Sequence, residues 1–446
     1  MKRGVIEAYE ENQLAVAIPD LRAVRDKLTE CGAGVEHEEQ DPRLGLALLT
    51  LRGVAAAVAQ LRADDSGLAG RANQARWSGG PASGIEPSDL DLLICWLRER
   101  FRSAYDGWVP TIGKNRVIEP VRGLPYIGGG DEGDPYFGGS GDPRTSSSAD
   151  AVTSVETALP SGPPSGWPPQ RGQNPGQGAR VGVLDTRLYP NEWLAGGYIA
   201  AGSELLQLPA DGCPLLPASA GHATFIAGLI LRRAPGAELV IRPVLNDKAV
   251  GKAWDVAKEM VSFTGSGVDI LNLSFGCYTD DGEPPLVLAR AVSLLSAEIL
   301  LVAAAGNHGN IDKLRARGKV PDGSRTRGLT PKTPVWPAAF DEVTAVGATD
   351  GNKLAAFSPR TPWVDLVAPG VGVESTYLKG QVKPASSPQS PLTFNGFACW
   401  DGTSFSAAAV SGAVAAKILT GRYDARQALA CIFKSPDDGI RPFTGT

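Results

Sequence analysis

Four polar residues in separate segments of the chain are of types that act together in nucleophilic catalysis. Asp185 follows an apolar run, His222 is one of only three histidines, Asn307 follows a run of small residues, and Ser404 precedes another such run. A serine hydroxyl is a weak nucleophile near neutral pH until a neighbouring base takes its proton. A histidine can be that base, a carboxylate can orient the imidazole, and an amide N–H can stabilise an oxyanion. The four residue types therefore suit acyl transfer to a serine.

Each of these residues also has an ordinary structural explanation when it is taken alone. Asp185 could cap a turn, His222 could be a buried structural histidine, Asn307 a turn residue and Ser404 an N-cap. Ser404 would lie at a helix N-terminus, where free backbone N–H groups and the helix dipole favour negative charge. His308, beside Asn307, is interpreted as a loop residue rather than a second base.

The part of the chain that carries these residues alternates apolar runs with helical patterns. We predict strands over five runs, Val181–Leu184, Glu238–Ile241, Val268–Leu273, Ile299–Ala304 and Val343–Val346. Helical spacing lies between them, over Thr224–Arg232, Lys252–Phe263 and Leu286–Leu295. Such alternation is typical of an α/β domain with a parallel sheet covered on both faces, whose functional residues follow the C-terminal ends of strands.

The chain before this domain divides into two further parts. Residues 1–122 indicate a small α+β domain. We predict strands over Leu14–Ile18, Leu44–Leu51 and Arg116–Val121. We predict one helix that begins at Pro19 and two more over Val54–Leu61 and Asp89–Tyr105. Residues 123–179 are rich in Gly, Pro and Ser, a composition that cannot bury enough apolar surface to offset chain entropy, so we predict a flexible linker. Residues 180–446 then form the third part.

The third part resembles the subtilases, the subtilisin-like serine proteases, from about Arg180 to Phe433. The matching segments are Val181–Thr186, Gly221–Gly228, Val268–Gly276, Ala303–Asn307, Trp336–Ala339, Asp365–Gly370 and Asp401–Gly412. The resemblance implies a subtilisin-like domain with a mostly parallel central sheet flanked by helices. It also implies a catalytic triad of Asp185, His222 and Ser404, with Asn307 in the oxyanion hole, and a cis bond between Trp336 and Pro337.

The same resemblance implies how a substrate would bind. An extended peptide would add a strand beside four residues, Leu273, Ser274, Phe275 and Gly276. Ala304, Ala305 and Gly306 would form one wall of the first specificity pocket, and Val335 would lie near its base. Such a pocket would prefer apolar substrate side chains or show little preference. The expected partner is a peptide or protein substrate, and the reaction is hydrolysis of a peptide bond through an acyl-enzyme. Residues 1–122 would be a propeptide-like domain, as in a zymogen, or a regulatory domain.

Several positions near the four residues depart from the family pattern. Arg187 replaces a usual glycine, Ala223 and Phe225 replace a glycine and a histidine, and Ala408 replaces a proline. These departures keep two alternatives open. One is a catalytically impaired subtilase-like protein that binds peptides, and the other is a subtilase-type peptide ligase or macrocyclase.

Composition excludes some other classes of function. The formal net charge of -5 gives no reason to expect nucleic acid or an anionic membrane as a partner. The chain shows no signal-like or membrane-spanning apolar stretch, and its six cysteines are scattered, so we expect free thiols and a cytoplasmic location. The chemistry needs no cofactor. Subtilases often bind calcium, yet no segment here carries carboxylates that demand it.

Overall fold

The computed structural model describes residues 8–76, 86–120, 135, 176–210, 213–316, 328–384, 390–418, 423–436 and 439–444. The predicted linker, residues 123–179, lies almost wholly outside these ranges. No helix in the described ranges is both long enough and apolar enough to cross a membrane.

The described residues of the N-terminal part form four β-strands and four α-helices. In chain order they are β1 (Tyr9–Ala17), α1 (Leu21–Glu30), β2 (Gly34–Asp41), β3 (Leu46–Arg52), α2 (Val54–Asp64), α3 (Leu68–Arg76), α4 (Asp89–Ala104) and β4 (Ile112–Pro120). The strands pair antiparallel in the order β4-β1-β3-β2. Buried side chains of the helices pack on alternate residues of β1 and β3, such as Leu14, Val16 and Leu49. This part therefore has a core of its own.

The remaining elements follow from residue 180 onward. The first group is β5 (Arg180–Asp185), β6 (Tyr198–Ile199), β7 (Leu216–Pro217), α5 (His222–Arg233), β8 (Glu238–Pro243), β9 (Gly251–Lys252), α6 (Ala253–Ser262), β10 (Ile270–Leu273), β11 (Phe275–Gly276) and α7 (Leu286–Leu295). The second group is β12 (Leu300–Ala304), α8 (Ile311–Ala316), β13 (Val343–Asp350), β14 (Lys353–Leu354), β15 (Leu366–Pro369), β16 (Val373–Lys383), β17 (Leu392–Trp400), α9 (Thr403–Lys417), α10 (Ala425–Lys434) and β18 (Arg441–Pro442).

The central sheet has the order β18-β15-β13-β12-β10-β5-β8-β6. Its inner strands pair in parallel, from β15 to β6. Alternate strand residues face two different cores, since Val183 packs with α5 and α9 whereas Leu184 packs with α6 and α7. Burial on both faces explains why these strands are continuous apolar runs in the sequence. The α/β class and the five predicted strands of this part are confirmed.

The N-terminal part docks on the rest of the chain through β4. Val117 and Ile118 pair antiparallel with β9, while Glu119 and Pro120 pair antiparallel with β11. The outer face of the N-terminal sheet also packs on α6, where Leu46 and other strand residues share one hydrophobic core with that helix. The C-terminal half of β4 thus lies between β9 and β11, two short strands of the larger part, and pairs with both.

The approach of β16 to α5 depends on a glycine. The hydroxyl groups of Ser375 and Thr376 donate to the carbonyl oxygens of Phe225 and Thr224, each at 2.7 Å. A Cβ atom on Gly228 would lie 2.3 Å from both hydroxyl oxygens. The absence of a side chain at this position lets the strand satisfy two carbonyl groups in the first half of α5.

We predict that Gly228→Ala destabilises the protein. The added methyl group must push β16 away from α5, and overpacking of this kind costs about 1–3 kcal/mol. The midpoint of urea unfolding should therefore fall. As a matched control, Gly70→Ala adds the same methyl group to α3, where nothing lies within 4 Å of the new Cβ atom. That control should raise stability by roughly 0.5–1 kcal/mol, because alanine favours a helix over glycine. Equal effects of the two substitutions would contradict the packing argument.

Candidate active site

The four candidate residues follow strands or begin helices around one edge of the central sheet. Asp185 ends β5, and Asn307 comes three residues after the end of β12. His222 is the first residue of α5, and Ser404 is the second residue of α9. Since β5 and β12 lie on either side of β10 in a parallel sheet, their C-terminal ends open at the same edge.

Asp185 and His222 form a buried hydrogen-bonded pair. The carboxylate oxygens lie 2.9 and 2.8 Å from His222 Nδ1, and the Asp185 side chain is fully buried. Asp185 Oδ1 also accepts from the Thr186 backbone N–H at 2.7 Å. A carboxylate oxygen accepts only, so Nδ1 carries the proton and donates to it. Nε2 of His222 is therefore the basic nitrogen of the ring.

Thr186 links the end of β5 to the start of α5. Its hydroxyl accepts from the backbone N–H of Ala223 at 3.1 Å and donates to the carbonyl of Ala220 at 3.3 Å. The hydroxyl thereby satisfies one of the N–H groups that a helix N-terminus leaves without an intrahelical partner. The Thr186 side chain therefore positions the start of α5, and with it His222, relative to Asp185 at the end of β5.

Ser404 is held against the end of β10. Its hydroxyl donates to the carbonyl of Ser274 at 3.2 Å, and the Ser274 hydroxyl donates to the carbonyl of Ser404 at 3.1 Å. The ring of Phe405, the next residue, lies 5.7 Å from the His222 ring. The segment that carries Ser404 therefore packs directly against the imidazole.

Asn307 is oriented by the first residue of α9. Its Oδ1 accepts from the backbone N–H of Thr403 at 3.0 Å and from the Thr403 hydroxyl at 2.9 Å. Because a backbone N–H can only donate, the atom bonded to Thr403 is the amide oxygen, and the other polar atom of the Asn307 amide is the NH₂ group. The Thr403 hydroxyl also accepts from the N–H of Gly306 at 3.1 Å. One threonine thus sets the direction of the Asn307 amide.

The predicted substrate-binding residues lie next to this group. Leu273 ends β10, Ser274 contacts Ser404, and Phe275 and Gly276 form β11, which pairs with β4. Ala304 and Ala305 are fully buried at the end of β12. Val335 lies against Gly306, since a Cβ atom on that glycine would be 2.9 Å from Val335 Cγ2. The peptide bond between Trp336 and Pro337 is cis, as expected.

The residues that depart from the family pattern occupy packing positions. Ala223, Phe225 and Ala408 are fully buried, and the Phe225 ring lies 4.6 Å from the Phe405 ring. Arg187 forms an ion pair with Asp247, at 2.8 and 2.9 Å from the two carboxylate oxygens. The hydrogen bonds between Asp185 and His222 are present alongside these four residues. The catalytic roles themselves stay predictions.

The described residues contain no group of three or more His, Cys, Asp or Glu side chains that could hold a metal ion. A calcium site within them would need other ligands.

His308 is a buried loop residue whose surroundings the sequence did not indicate. It is 2% exposed, its Nε2 lies 3.0 Å from the carbonyl oxygen of Thr333, and its Nδ1 lies 3.3 Å from the Tyr278 hydroxyl. A carbonyl accepts only, so Nε2 carries the proton and Nδ1 accepts from Tyr278. Burial lowers the pKa of His308 to about 4, against the opposing effect of the bond to Thr333.

We predict that His308 makes the protein less stable in mild acid. Between pH 6.5 and about 4 the unfolded chain binds a proton at this histidine that the folded protein does not. The free energy of unfolding therefore falls as pH falls through this window, by up to about 3 kcal/mol. In urea unfolding at pH 7 and pH 4.5, His308→Phe and His308→Asn should lose less stability than the parent protein. Parallel losses in all three proteins would contradict this prediction.

Known proteins with similar sequences are proteases. Over 214 residues the chain is 33% identical to the thermostable alkaline protease of Halalkalibacterium halodurans, covering 45% of this chain and 50% of that protein. Over 253 residues it is 31% identical to Subtilisin Savinase of Lederbergia lenta, covering 54% of this chain and 76% of that protein. The chain thus spans about half the length of the first of these relatives.

A solved structure of a lanthipeptide protease is also similar, with a TM-score of 0.44 and 23% identity over 59% of this chain and 81% of that chain. The family model described as the subtilase family matches residues 176–428. Since this match covers more than half of the 446 residues, the chain belongs to the subtilase family.

Proposed function

We propose that this protein is a serine endopeptidase that hydrolyses peptide bonds through an acyl-enzyme. The observation that carries the proposal is the buried hydrogen bond between Asp185 and His222 Nδ1, at 2.8 and 2.9 Å, beside the helix that begins with Thr403 and Ser404. Membership of the subtilase family supports it. A buried carboxylate on Nδ1 fixes the tautomer in which Nε2 can accept a proton.

In the proposed reaction the Ser404 oxygen attacks the carbonyl carbon of the substrate, and its proton passes to His222 Nε2. The hydroxyl must first leave the carbonyl of Ser274, because it has a single hydrogen to donate. Asp185 stabilises the imidazolium that forms. His222 then gives the proton to the leaving amine as the C–N bond breaks, and a water molecule hydrolyses the resulting ester by the same route.

The negative charge on the substrate oxygen would be stabilised by two donors. One is the Asn307 NH₂ group, whose place in the amide is fixed by the bonds from Thr403 to Oδ1. The other is the backbone N–H of Ser404, which at the second position of α9 has no partner within its own helix. Donors that are fixed before the reaction need no reorganisation in the transition state.

We propose further that the N-terminal part blocks the cleft until it is removed. Substrate would bind as an extended strand beside β11, and Glu119 and Pro120 of β4 already pair with Gly276 and Phe275. The next residue on that strand, Ser274, accepts a hydrogen bond from Ser404. The last residue of β4, Pro120, therefore pairs with Phe275, which is adjacent in sequence to the residue that contacts the candidate nucleophile Ser404.

We predict that Ser404→Ala abolishes both peptide hydrolysis and labelling by a fluorophosphonate probe. Only a serine whose proton is taken by a base reacts with such a probe. As a control, Ser262→Ala removes an exposed hydroxyl from α6 and should leave labelling unchanged. Cleavage by Ser404→Ala would refute the assignment. Labelling without any cleavage by the parent protein would instead favour acyl transfer to an acceptor other than water, and product mass would identify a ligated or cyclised peptide.

We predict that the protein cuts its own chain just after β4. The purified parent protein should yield two fragments that separate within a few residues of Pro120, and Ser404→Ala should stay intact. Intact-mass spectrometry measures both outcomes. The same cut in Ser404→Ala would assign it to another protease. An uncut chain that hydrolyses short peptides at full rate would contradict the blocking role of the N-terminal part.

A further inference from the structure

We propose that a buried chain of hydrogen bonds, from Ser411 through Asn272 to Ser274, positions the start of α9 for catalysis. Ser411 and Asn272 act on Ser404 only through Ser274, so they are positioning residues. The inference rests on the proposed function, because it names what holds the candidate nucleophile of that reaction in place. All four side chains are at most 2% exposed.

Asn272 is a polar residue in an apolar layer. It lies on β10, where its register partners on the two neighbouring strands are Val183 and Val302. Both valines are fully buried in the core that this face of the sheet shares with α9, as is Ile270, which shares a face of β10 with Asn272. A buried amide costs free energy unless its polar atoms find partners. Packing alone favours an aliphatic residue here, so the hydrogen bonds of Asn272 matter.

The amide of Asn272 is bonded on both sides. Its NH₂ group donates to the Ser274 hydroxyl at 2.8 Å, and its Oδ1 accepts from the Ser411 hydroxyl at 3.1 Å. A serine inside a helix can return its hydrogen bond to the carbonyl four residues earlier, but Ser411 reaches across to β10 instead. The two bonds together hold the amide in one orientation, with its donors towards Ser274.

Ser274 passes this constraint to the candidate nucleophile. The Asn272 NH₂ group can only donate, so the single hydrogen of the Ser274 hydroxyl is directed to the carbonyl of Ser404, at 3.1 Å. In return the Ser404 hydroxyl donates to the carbonyl of Ser274 at 3.2 Å. When the Ser404 hydroxyl turns to His222 in the proposed reaction, the bond from the Ser274 side chain is the one that stays.

The chain of hydrogen bonds meets α9 at two points on one side of the helix. Ser404 and Ser411 are seven residues apart on α9, which is about two helical turns, so they lie on the same side. Ser274 holds the first of these points and Asn272 the second. Contacts at two points resist both sliding and rotation of the helix against β10. Such control matters because a misplacement of about 1 Å can lower turnover by about a hundredfold.

We predict that loss of either hydroxyl group of the chain lowers kcat and leaves KM nearly unchanged. Ser411→Ala and Ser274→Ala should each reduce kcat for hydrolysis of dye-labelled casein by about tenfold or more, because the nucleophile is less often in place. The rate of labelling by a saturating fluorophosphonate probe should fall by the same factor. Urea unfolding of each variant checks that it is folded.

The matched control is Ser406→Ala. The Ser406 hydroxyl is also fully buried on α9, but it donates to the carbonyl of Ala368 on β15 at 3.0 Å. Loss of this hydroxyl removes a buried hydrogen bond of the same kind without touching the chain that leads to Ser404. Ser406→Ala should therefore keep the kcat and the labelling rate of the parent protein.

A double substitution tests whether Ser411 acts through Ser274. In the Ser274→Ala background, Ser411→Ala should lower kcat no further, because the link to Ser404 is already broken. Losses that multiply in the double variant, or a Ser411→Ala variant with the kcat of Ser406→Ala, would overturn the positioning role and leave the peptidase proposal intact. A raised KM at unchanged kcat would overturn it as well.

Two further outcomes are decisive. If Ser274→Ala does not fold, the comparison of Ser411→Ala with Ser406→Ala still tests the positioning role. If the parent protein shows no casein hydrolysis that depends on Ser404, the positioning role and the peptidase proposal fall together.

Discussion

The arrangement of the candidate site depends on how closely α5 and α9 approach each other. A Cβ atom on Gly412 would lie 2.9 Å from the carbonyl oxygen of Ile230, so the two helix backbones are nearly in contact at this point. α9 consists largely of Ala, Gly, Ser and Thr residues, and at this contact Gly412 of α9 meets Ile230 of α5. His222 opens one helix and Ser404 is near the start of the other, and their approach brings the imidazole beside the serine segment. Larger side chains between the helices would separate the two groups without altering either one.

The sequence predicted those elements whose burial imposes a clear pattern. The continuous apolar runs of the central sheet were found because both faces are covered, and the helix Leu286–Leu295 agrees with the prediction at both ends. The prediction did not separate β2, whose residues Gly34–Asp41 are mostly polar and half exposed. It also missed the hairpin of β16 and β17, although that hairpin supplies the two hydroxyl groups that meet α5. Elements held mainly by partners distant in the chain leave a weak local signal.

The same distinction applies to the candidate site. Asp185, His222, Asn307 and Ser404 were found from short segments that match one family in one order. The sequence did not predict the contacts that support these residues, because each contact joins residues far apart in the chain. Tyr278 and His308 are 30 positions apart, and Asn307 and Thr403 are 96 positions apart. No local pattern predicts that a tyrosine will fix the tautomer of a histidine, whereas a tertiary structure gives the donor and acceptor directly.

The docking of the N-terminal part rests more on backbone pairing than on charge. Lys258 with Glu39 and Lys252 with Glu10 form ion pairs across the contact, yet all four side chains are at least 28% exposed, and such pairs contribute little. By contrast, the fully buried Asn115 accepts from the backbone N–H of Trp254 at 3.0 Å, where a lost partner would be costly. Since salt screens mainly the exposed pairs, ionic strength alone would not separate the two parts. If the N-terminal part blocks the cleft as proposed, opening the cleft requires removal of the β4 strand that pairs with β11, and cleavage followed by degradation would achieve this.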